Sequence, residues 1–449
     1  MNTKLLRKDR FFIGSLIFGL FFGAGNLIFP IQMGQEAGAN VLSANLGFLI
    51  TGIGLPFLGL LSFGVSRSPN LFSLASKVGE GYAKYFTSIL YLIIGPIFAM
   101  PRLASTSFEI AFSTFIPKNL HTISLLLFST LFFCTVYFFS RKPSRILDYI
   151  GKFLTPLFLV LLFMILGMAF INPLGSIQDA AVQSAYTEGA FLKGFQEGYN
   201  TLDALAALAF GMLIIENIQN FGITEPKHIA KETIKSGALG IILMGIIYTL
   251  LALLGTMSLG TLNLNKNGGI TLAQVGEHYF GVTGSILLAA IVIVACLKTA
   301  IGLATSFGRT FSELYPSKSY TFFTVGCIFL SAVIANVGLN QIIAISLPVL
   351  MFIYPLAMTL IILGILDPFI GDKQWIYKTT TYFTMFASFF DALNYLPGNL
   401  KELPMIKRLL EVANSYLPFF EMGMSWLVIS FIGFIVGVVI SYIDKKKRS

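Results

Sequence analysis

The sequence predicts an all-α integral membrane protein of about twelve transmembrane helices, with helices 1 and 6 interrupted in a five-plus-five inverted repeat. Of its 449 residues, 55% are hydrophobic and 11% charged, and the mean hydropathy is +0.80. A soluble core of that composition is implausible. Apolar runs long enough to span a bilayer recur along the chain, and the first contains glycines and an asparagine in its outer half. These observations predict a carrier whose site lies near the middle of the membrane.

Windows of about 19 residues on a hydropathy scale locate the predicted spans. In chain order the spans are 11–30, 42–64, 84–111, 122–139, 150–171, 199–219, 237–258, 282–308, 320–337, 341–364, 375–396 and 421–443. No long hydrophilic stretch divides the chain, so one integral domain is expected over residues 1–449. The repeats are expected at about 11–171 and 199–364, and the helices at about 375–443 are expected to be peripheral.

Two interrupted helices in corresponding positions predict the repeat. Span 1 breaks at Gly23–Asn26, and span 6 carries Asp203 in its outer part and Gly211 near its middle. Five spans per unit, an odd number, give the two units opposite orientations in the membrane.

The basic residues predict the topology. Of thirty Lys and Arg, twenty-two fall in tails, loops and the adjoining span ends on one side, six lie on the other side, and Arg102 and Lys298 lie deeper within spans. By the positive-inside rule, both termini are predicted to be cytoplasmic. The net charge of +9 therefore reflects membrane topology, and neither a nucleic-acid nor a nucleotide partner is expected.

The break in span 1 is the first candidate site. An interrupted helix offers free amides to an anion and free carbonyls to a cation, and it is tolerated in a membrane only inside protein or beside a wet cavity. The amides around Ala24 and Gly25 are predicted to receive a carboxylate, and Asn26 to offer its side-chain oxygen to a cation. Simple packing is the alternative, since Gly19 and Gly23 form a small-xxx-small face.

Ionisable residues within the spans are the second set of candidates. Lys298 lies close to the centre of span 8, where a lysine needs a partner or water, and Thr299 follows it with a hydroxyl. Arg102 and Glu109 are seven residues apart on one face of span 3, and gating, coupling or a structural role remain open for both. Asp203 is either an outer gate or simply close to the outer surface.

The missing motifs narrow the function further. The sequence has no nucleotide-binding G-x-x-x-x-G-K-[ST], no zinc-protease H-E-x-x-H and no nucleophile elbow. Its three cysteines lie within spans and its three histidines in unrelated loops, so no metal site and no cofactor are expected. An enzyme is not expected. A non-transporting membrane sensor or assembly protein remains an alternative, although no soluble signalling domain is evident.

Several motifs together resemble the branched-chain amino acid:cation symporter family. The resemblance covers nearly the whole chain, in the stretches 22–30, 47–56, 95–109, 198–211, 295–302 and 346–355. It implies uptake of leucine, isoleucine and valine across a bacterial plasma membrane, coupled to sodium or protons. It also implies a LeuT-type fold and leaves the oligomeric state open.

The resemblance implies a site as well. Gly23, Ala24, Gly25 and Asn26 would bind the substrate, with Phe210 and Gly211 on span 6. Gly19 and Phe22 would supply carbonyls to an ion shared with span 8, where Ala295, Lys298 and Thr299 occupy the ion-binding positions.

The chain departs from the family pattern at one of these positions. Sodium-binding relatives usually have a hydroxyl residue where Lys298 stands, and an ammonium repels a cation. The hypothesis is that the Lys298 ammonium replaces the sodium ion on the broken-helix carbonyls, and a lysine bent toward the inner interface is the alternative. A proton-coupled symporter and a sodium-independent exchanger both fit that hypothesis.

Overall fold

The computed structural model describes residues 4–112, 116–142, 147–371 and 373–448, and these contain helices but no strand. The α-helices are α1 (Arg7–Phe21), α2 (Ala24–Ala37), α3 (Val41–Leu49), α4 (Leu55–Val65), α5 (Leu71–Ser76), α6 (Glu80–Leu92), α7 (Ala99–Phe112), α8 (His121–Ser140), α9 (Thr155–Ile171), α10 (Ala190–Glu197), α11 (Asp203–Gln219), α12 (Pro226–Ser258), α13 (Gly268–Leu314), α14 (Tyr320–Ala335), α15 (Leu339–Ile370), α16 (Gln374–Asn394), α17 (Gly398–Lys401), α18 (Pro404–Tyr416) and α19 (Trp426–Arg448).

The predicted all-helical membrane fold is confirmed. Each predicted span lies mostly on helix, and eight continuous helical segments in the described residues are long and apolar enough to cross a membrane. Three of these segments run through π-helical turns: Gly25–Val65 contains most of α2 with α3 and α4, Glu80–Phe112 contains α6 and α7, and Tyr149–Ile171 contains α9. A ninth span results if α10 and α11, bent by 41° at their junction, are counted as one. The other predicted spans are interrupted, as in α1 and α2, shorter, as in α14, or less apolar, as in α16.

Span 1 is interrupted where the sequence places glycine. Helix α1 ends at Phe21, Phe22 and Gly23 are extended, and α2 begins at Ala24. The interruption therefore begins slightly earlier than predicted, and Asn26 lies in the first turn of α2. Gly23 leaves little room for a side chain, because a Cβ there would lie 3.1 Å from Thr299 Oγ1 and 3.2 Å from Leu103 Cδ2.

Span 6 is interrupted before Asp203, and Gly211 plays no part in the break. The chain passes from α10 through a 3₁₀ turn, Gly198–Thr201, to Leu202, whose φ of 66° is left-handed, and α11 starts at Asp203. A non-glycine residue in this region is strained and marks a special site. Gly211 lies inside unbroken α11, where a Cβ would come within 2.4 Å of the Phe63 ring, so it serves close helix packing.

Span 3 also departs from a regular helix. A π-helical turn, Ile93–Ile97, joins α6 to α7, and Gly95 has non-helical angles just before Pro96. This kink falls immediately before the segment of α7 that carries Arg102. Interruptions in three spans thus lie beside the same central region of the protein.

Candidate functional site

The N-terminus of α2 presents an unpaired backbone amide at the centre of the fold. The Gly23 amide donates to Asn26 Oδ1 at 2.7 Å, which caps the helix. The amide of Gly25, in the first turn of α2, donates to no acceptor among the hydrogen bonds of the described residues. A helix N-terminus with free amides and a positive dipole end is suited to an anion.

Asn26 joins α2 to α11 and α12 through a buried polar triangle. Its Nδ2 donates to both carboxylate oxygens of Asp203, at 2.9 Å and 2.8 Å, and also contacts the hydroxyl of Tyr248. The Tyr248 hydroxyl donates to Asp203 Oδ2 at 2.5 Å. All three side chains are at most 2% exposed. The predicted role of Asn26 does not match this geometry, because its oxygen already accepts from Gly23 and its amide nitrogen faces Asp203.

A small cavity lies beside the triangle. It has a volume of about 30 Å³ and is lined by both interrupted helices together with α7 and α13. Its polar lining comes from Gly25, Asn26, Arg102, Asp203 and Thr299, and its apolar lining includes Phe21, Ile94, Leu103 and Leu303. We call it the central cavity. It has room for about two water molecules, so this conformation has no space for an amino acid.

Arg102 contributes a buried positive charge to the central cavity. Its side chain is 6% exposed, and its guanidinium lies 5.2 Å from the Phe29 ring centre. The guanidinium also borders Gly25, since a Cβ on that glycine would be 3.1 Å from Arg102 Nη2.

The C-terminal carbonyls of α1 meet a hydroxyl of α13. Thr299 Oγ1 donates to Phe22 O at 3.2 Å and lies 3.5 Å from Gly19 O. Ala295, one turn earlier in α13, is fully buried. Carbonyl and hydroxyl oxygens are ligands for hard cations, so this cluster has the donor chemistry for a small cation.

Lys298 points away from those carbonyls, contrary to the prediction. Its Nζ is fully buried and has no hydrogen-bond partner within the described part of the chain. Three aromatic rings surround it instead, with centres 5.0 Å away for Phe18, 5.4 Å for Phe22 and 4.3 Å for Phe158. We call this arrangement the lysine cage. The carbonyl contacts belong to Thr299, because adjacent residues on a helix point about 100° apart.

Six of the fourteen predicted site residues line the central cavity, whereas Phe210, Gly211 and Glu109 are among those that do not. Phe210 packs behind the cavity, with its ring centre 5.9 Å from that of Phe21. Gly211 lies against Phe63. Glu109 accepts a hydrogen bond of 3.3 Å from Asn267 at the start of α13, away from the residues lining the central cavity.

Tyr248 is the main site residue that the sequence analysis missed. Its hydroxyl is fully buried and bonded to Asp203, yet in the sequence it is one tyrosine in an apolar run. Its position within a predicted span was the available signal, because a hydroxyl at membrane depth needs a hydrogen-bond partner. Leu103, Phe21 and Ile94 carried no such signal, because apolar lining residues look like ordinary core.

Interrupted helices around a small central cavity are the architecture of the LeuT fold, to which the structure is similar. The structure aligns with that of MhsT in complex with L-phenylalanine, with a TM-score of 0.59, 17% identity, and coverage of 96% of this chain and 99% of that one. It also aligns with Mhp1, a nucleobase-cation-symport-1 family transporter, with a TM-score of 0.60, 12% identity, and coverage of 97% and 93%. At these identities the likeness establishes the fold alone.

Sequence relatives establish the family. The family model described as "Branched-chain amino acid transport protein" matches residues 6–444. The chain is 42% identical to the branched-chain amino acid permease BrnQ of Lactobacillus delbrueckii subsp. lactis, over 100% of both chains. It is 41% identical to BrnQ of Bacillus subtilis, over 99% of this chain and 100% of the relative, and 37% identical to BraB of the same species, over 98% and 97%. The chain therefore belongs to the branched-chain amino acid transport protein family, and it is a transporter and not an enzyme.

Proposed function

We propose that the protein is a secondary active importer of leucine, isoleucine and valine, driven by a proton or sodium gradient. It would act in a bacterial plasma membrane with both termini in the cytoplasm. The observation that carries the proposal is the N-terminus of α2, with the unpaired amide of Gly25, beside a cavity with aliphatic and aromatic walls. Amides suit the substrate carboxylate, and the apolar walls suit a branched side chain. The family relatives, named as permeases for these amino acids, support the same substrates.

Transport by alternating access requires the central cavity to open. At about 30 Å³ it is too small for substrate here, so its walls must separate to admit an amino acid. Ion pairs hold together the helix ends predicted to face the cytoplasm. Arg10 Nη2 and Nε lie 2.8 Å and 3.1 Å from Glu232 Oε2, and Arg309 pairs with Glu216. Opening toward the cytoplasm would break these pairs.

Two neighbouring features bear on the choice of coupling ion, and they favour different ions. The oxygens of Gly19, Phe22 and Thr299 offer ligands of the kind that sodium uses. Lys298, the next residue of α13, places an amine in the lysine cage, where a charged ammonium would oppose a second cation nearby. The first feature favours sodium, and the second favours proton coupling or sodium-independent exchange.

Uptake into proteoliposomes tests the substrates and the coupling together. Initial rates of labelled leucine uptake are compared in sodium and in choline, with and without an imposed proton gradient, and with isoleucine and valine as competitors. The original protein is compared with Lys298→Thr and with a matched control, Lys407→Thr, at an exposed position on α18.

The outcomes separate the alternatives. Sodium-independent uptake that becomes sodium-stimulated in Lys298→Thr, but not in Lys407→Thr, supports a lysine that replaces the sodium charge. Strict sodium dependence of the original protein refutes that role. Accumulation driven by the proton gradient identifies a proton symporter. Uptake that requires leucine inside the vesicle identifies an exchanger, and no uptake of the three amino acids refutes the proposed function.

A further inference from the structure

We propose that Arg102 and Asp203 are the two charged poles that bind the head group of the substrate. Arg102 would take the α-carboxylate together with the α2 amides, and Asp203 would take the α-ammonium. This inference rests on the proposed function and deepens it, because it assigns each end of a zwitterion to a named side chain.

The guanidinium of Arg102 lacks the partners that a buried arginine needs. It carries five N–H donors in a planar fork, yet it donates no hydrogen bond and forms no ion pair in the described ranges of the chain. Its guanidinium lies over the face of Phe29, 5.2 Å from the ring centre. A buried charge without a partner is strongly unfavourable, and a carboxylate matches the fork of an arginine with two parallel hydrogen bonds.

The geometry directs Arg102 toward the expected carboxylate position. Its Nη2 lies 3.1 Å from the point where a Cβ on Gly25 would sit, so the guanidinium and the start of α2 face the same space. The N-terminus of α2, with its unpaired Gly25 amide, contributes the positive end of a helix dipole there. One anionic group could therefore be held by amides on one side and by the arginine on the other.

Asp203 supplies a negative pole on the same cavity. It begins α11, is 1% exposed and accepts hydrogen bonds from Asn26 and Tyr248, which fix its orientation. Asp203 and Arg102 line the same cavity, yet no ion pair joins the two among residues whose positions are described. Two opposite charges thus line one cavity without closing on each other. A zwitterion between them would satisfy both.

The rest of the cavity fits the remaining part of a branched-chain amino acid. Phe21, Ile94, Leu103 and Leu303 form its apolar lining, and Ala206 leaves space beside them. A substrate anchored at both charged ends would direct its aliphatic side chain toward these residues. If Arg102 has only a gating or structural role, its substitution should weaken ligands with and without a carboxylate equally.

Binding to the detergent-purified full chain tests the assignment without requiring flux. Labelled leucine is displaced by leucine, by leucinamide, which lacks the carboxylate, and by 4-methylpentanoate, which lacks the ammonium. The variants are Arg102→Met, Arg102→Lys and Asp203→Asn. Arg408→Met is the matched control, because Arg408 lies exposed on α18. Thermal unfolding of each variant reports whether it is folded.

The expected result is a loss of selectivity specific to each pole. Arg102→Met should raise the dissociation constant of leucine by about 10- to 100-fold, the range expected for charge-assisted hydrogen bonds. It should leave that of leucinamide unchanged. Arg102→Lys should recover part of the preference for leucine over leucinamide, because lysine keeps the positive charge but lacks the paired donors of the planar guanidinium. Asp203→Asn should abolish the preference for leucine over 4-methylpentanoate. The control, Arg408→Met, should change neither the preference for leucine over leucinamide nor the preference for leucine over 4-methylpentanoate.

Other outcomes overturn the assignment. A folded Arg102→Met that weakens leucine and leucinamide equally would mean a structural role, and an unchanged preference for leucine would mean that the carboxylate binds elsewhere. Either result leaves the proposed function intact, provided that the original protein takes up leucine. No binding of leucine to the original protein would overturn both proposals.

Discussion

Substitution of Gly25 tests the broken helix most directly. A Cβ at this position would lie 3.1 Å from Arg102 Nη2 and 3.3 Å from Phe29 Cε2. Both neighbours are ends of side chains that can shift by a few tenths of an ångström, and alanine favours a helix over glycine by up to about 1 kcal/mol. Gly25→Ala should therefore fold and insert normally. Its methyl group would nevertheless stand between the α2 amides and the guanidinium.

The size of the effect follows from the contacts that are lost. Losing one charge-assisted hydrogen bond costs about 1.5–3 kcal/mol, which corresponds to a rise of about 10- to 150-fold in the dissociation constant of leucine. Gly25→Ala should fall in this range. Gly25→Leu should abolish uptake, because its larger side chain fills the space that the carboxylate needs.

The assay is the initial rate of leucine uptake into proteoliposomes at equal reconstituted protein, together with leucine binding in detergent. Gly245→Ala is the matched control, because this glycine of α12 has nothing within 4 Å of the added Cβ. The control should transport like the original protein. Normal transport by Gly25→Leu would show that no carboxylate approaches this glycine, and equal losses in Gly245→Ala would point to a general effect on the helices.

Two further predictions concern the polar contacts around the site. Tyr248→Phe should keep the ring packing but remove the hydroxyl that donates to Asp203, which should lower leucine affinity by about 10-fold. Tyr186→Phe removes a buried hydroxyl that has no hydrogen-bond partner among the described residues, and it should leave leucine affinity and melting temperature unchanged or slightly improved. Equal effects of the two substitutions would contradict the role of the triangle. Arg10→Ala should lower the free energy of unfolding by about 3 kcal/mol, because it leaves the fully buried carboxylate of Glu232 short of its main partner, and adding Glu232→Gln should recover much of the loss. Losses that simply add in the double variant would show that the pair is not coupled.

The interruption of span 1 could be predicted from the sequence because its cause is local. Gly23, Gly25 and Asn26 weaken a helix in any surroundings, and a membrane gives free backbone groups no alternative partner. The break in span 6 was harder to locate. Gly211 looked like a weak point but is a packing glycine, whereas the true break at Leu202 is a left-handed leucine that tertiary contacts hold in place.

The chemistry of Lys298 and Thr299 shows where sequence reasoning fails. Both residues occupy the predicted ion-binding positions, and the sequence analysis gave the broken-helix carbonyls to the lysine. In the structure, Thr299 donates to the Phe22 carbonyl, and the Lys298 side chain lies in the lysine cage. A rotation of about 100° between neighbouring residues on one helix decides which of them faces α1, and that rotation is set by packing.

The sequence by itself determined that this protein is a helical membrane transporter with an interrupted first helix, because hydropathy, charge asymmetry and helix-breaking residues act over short stretches of chain. The tertiary structure alone decided which polar groups share a cavity. Asn26, Arg102, Asp203 and Tyr248 are widely separated in sequence and lie on four different spans, and only the packing of those spans brings them together. The balance of charge in the central cavity is therefore a property of the assembled helices.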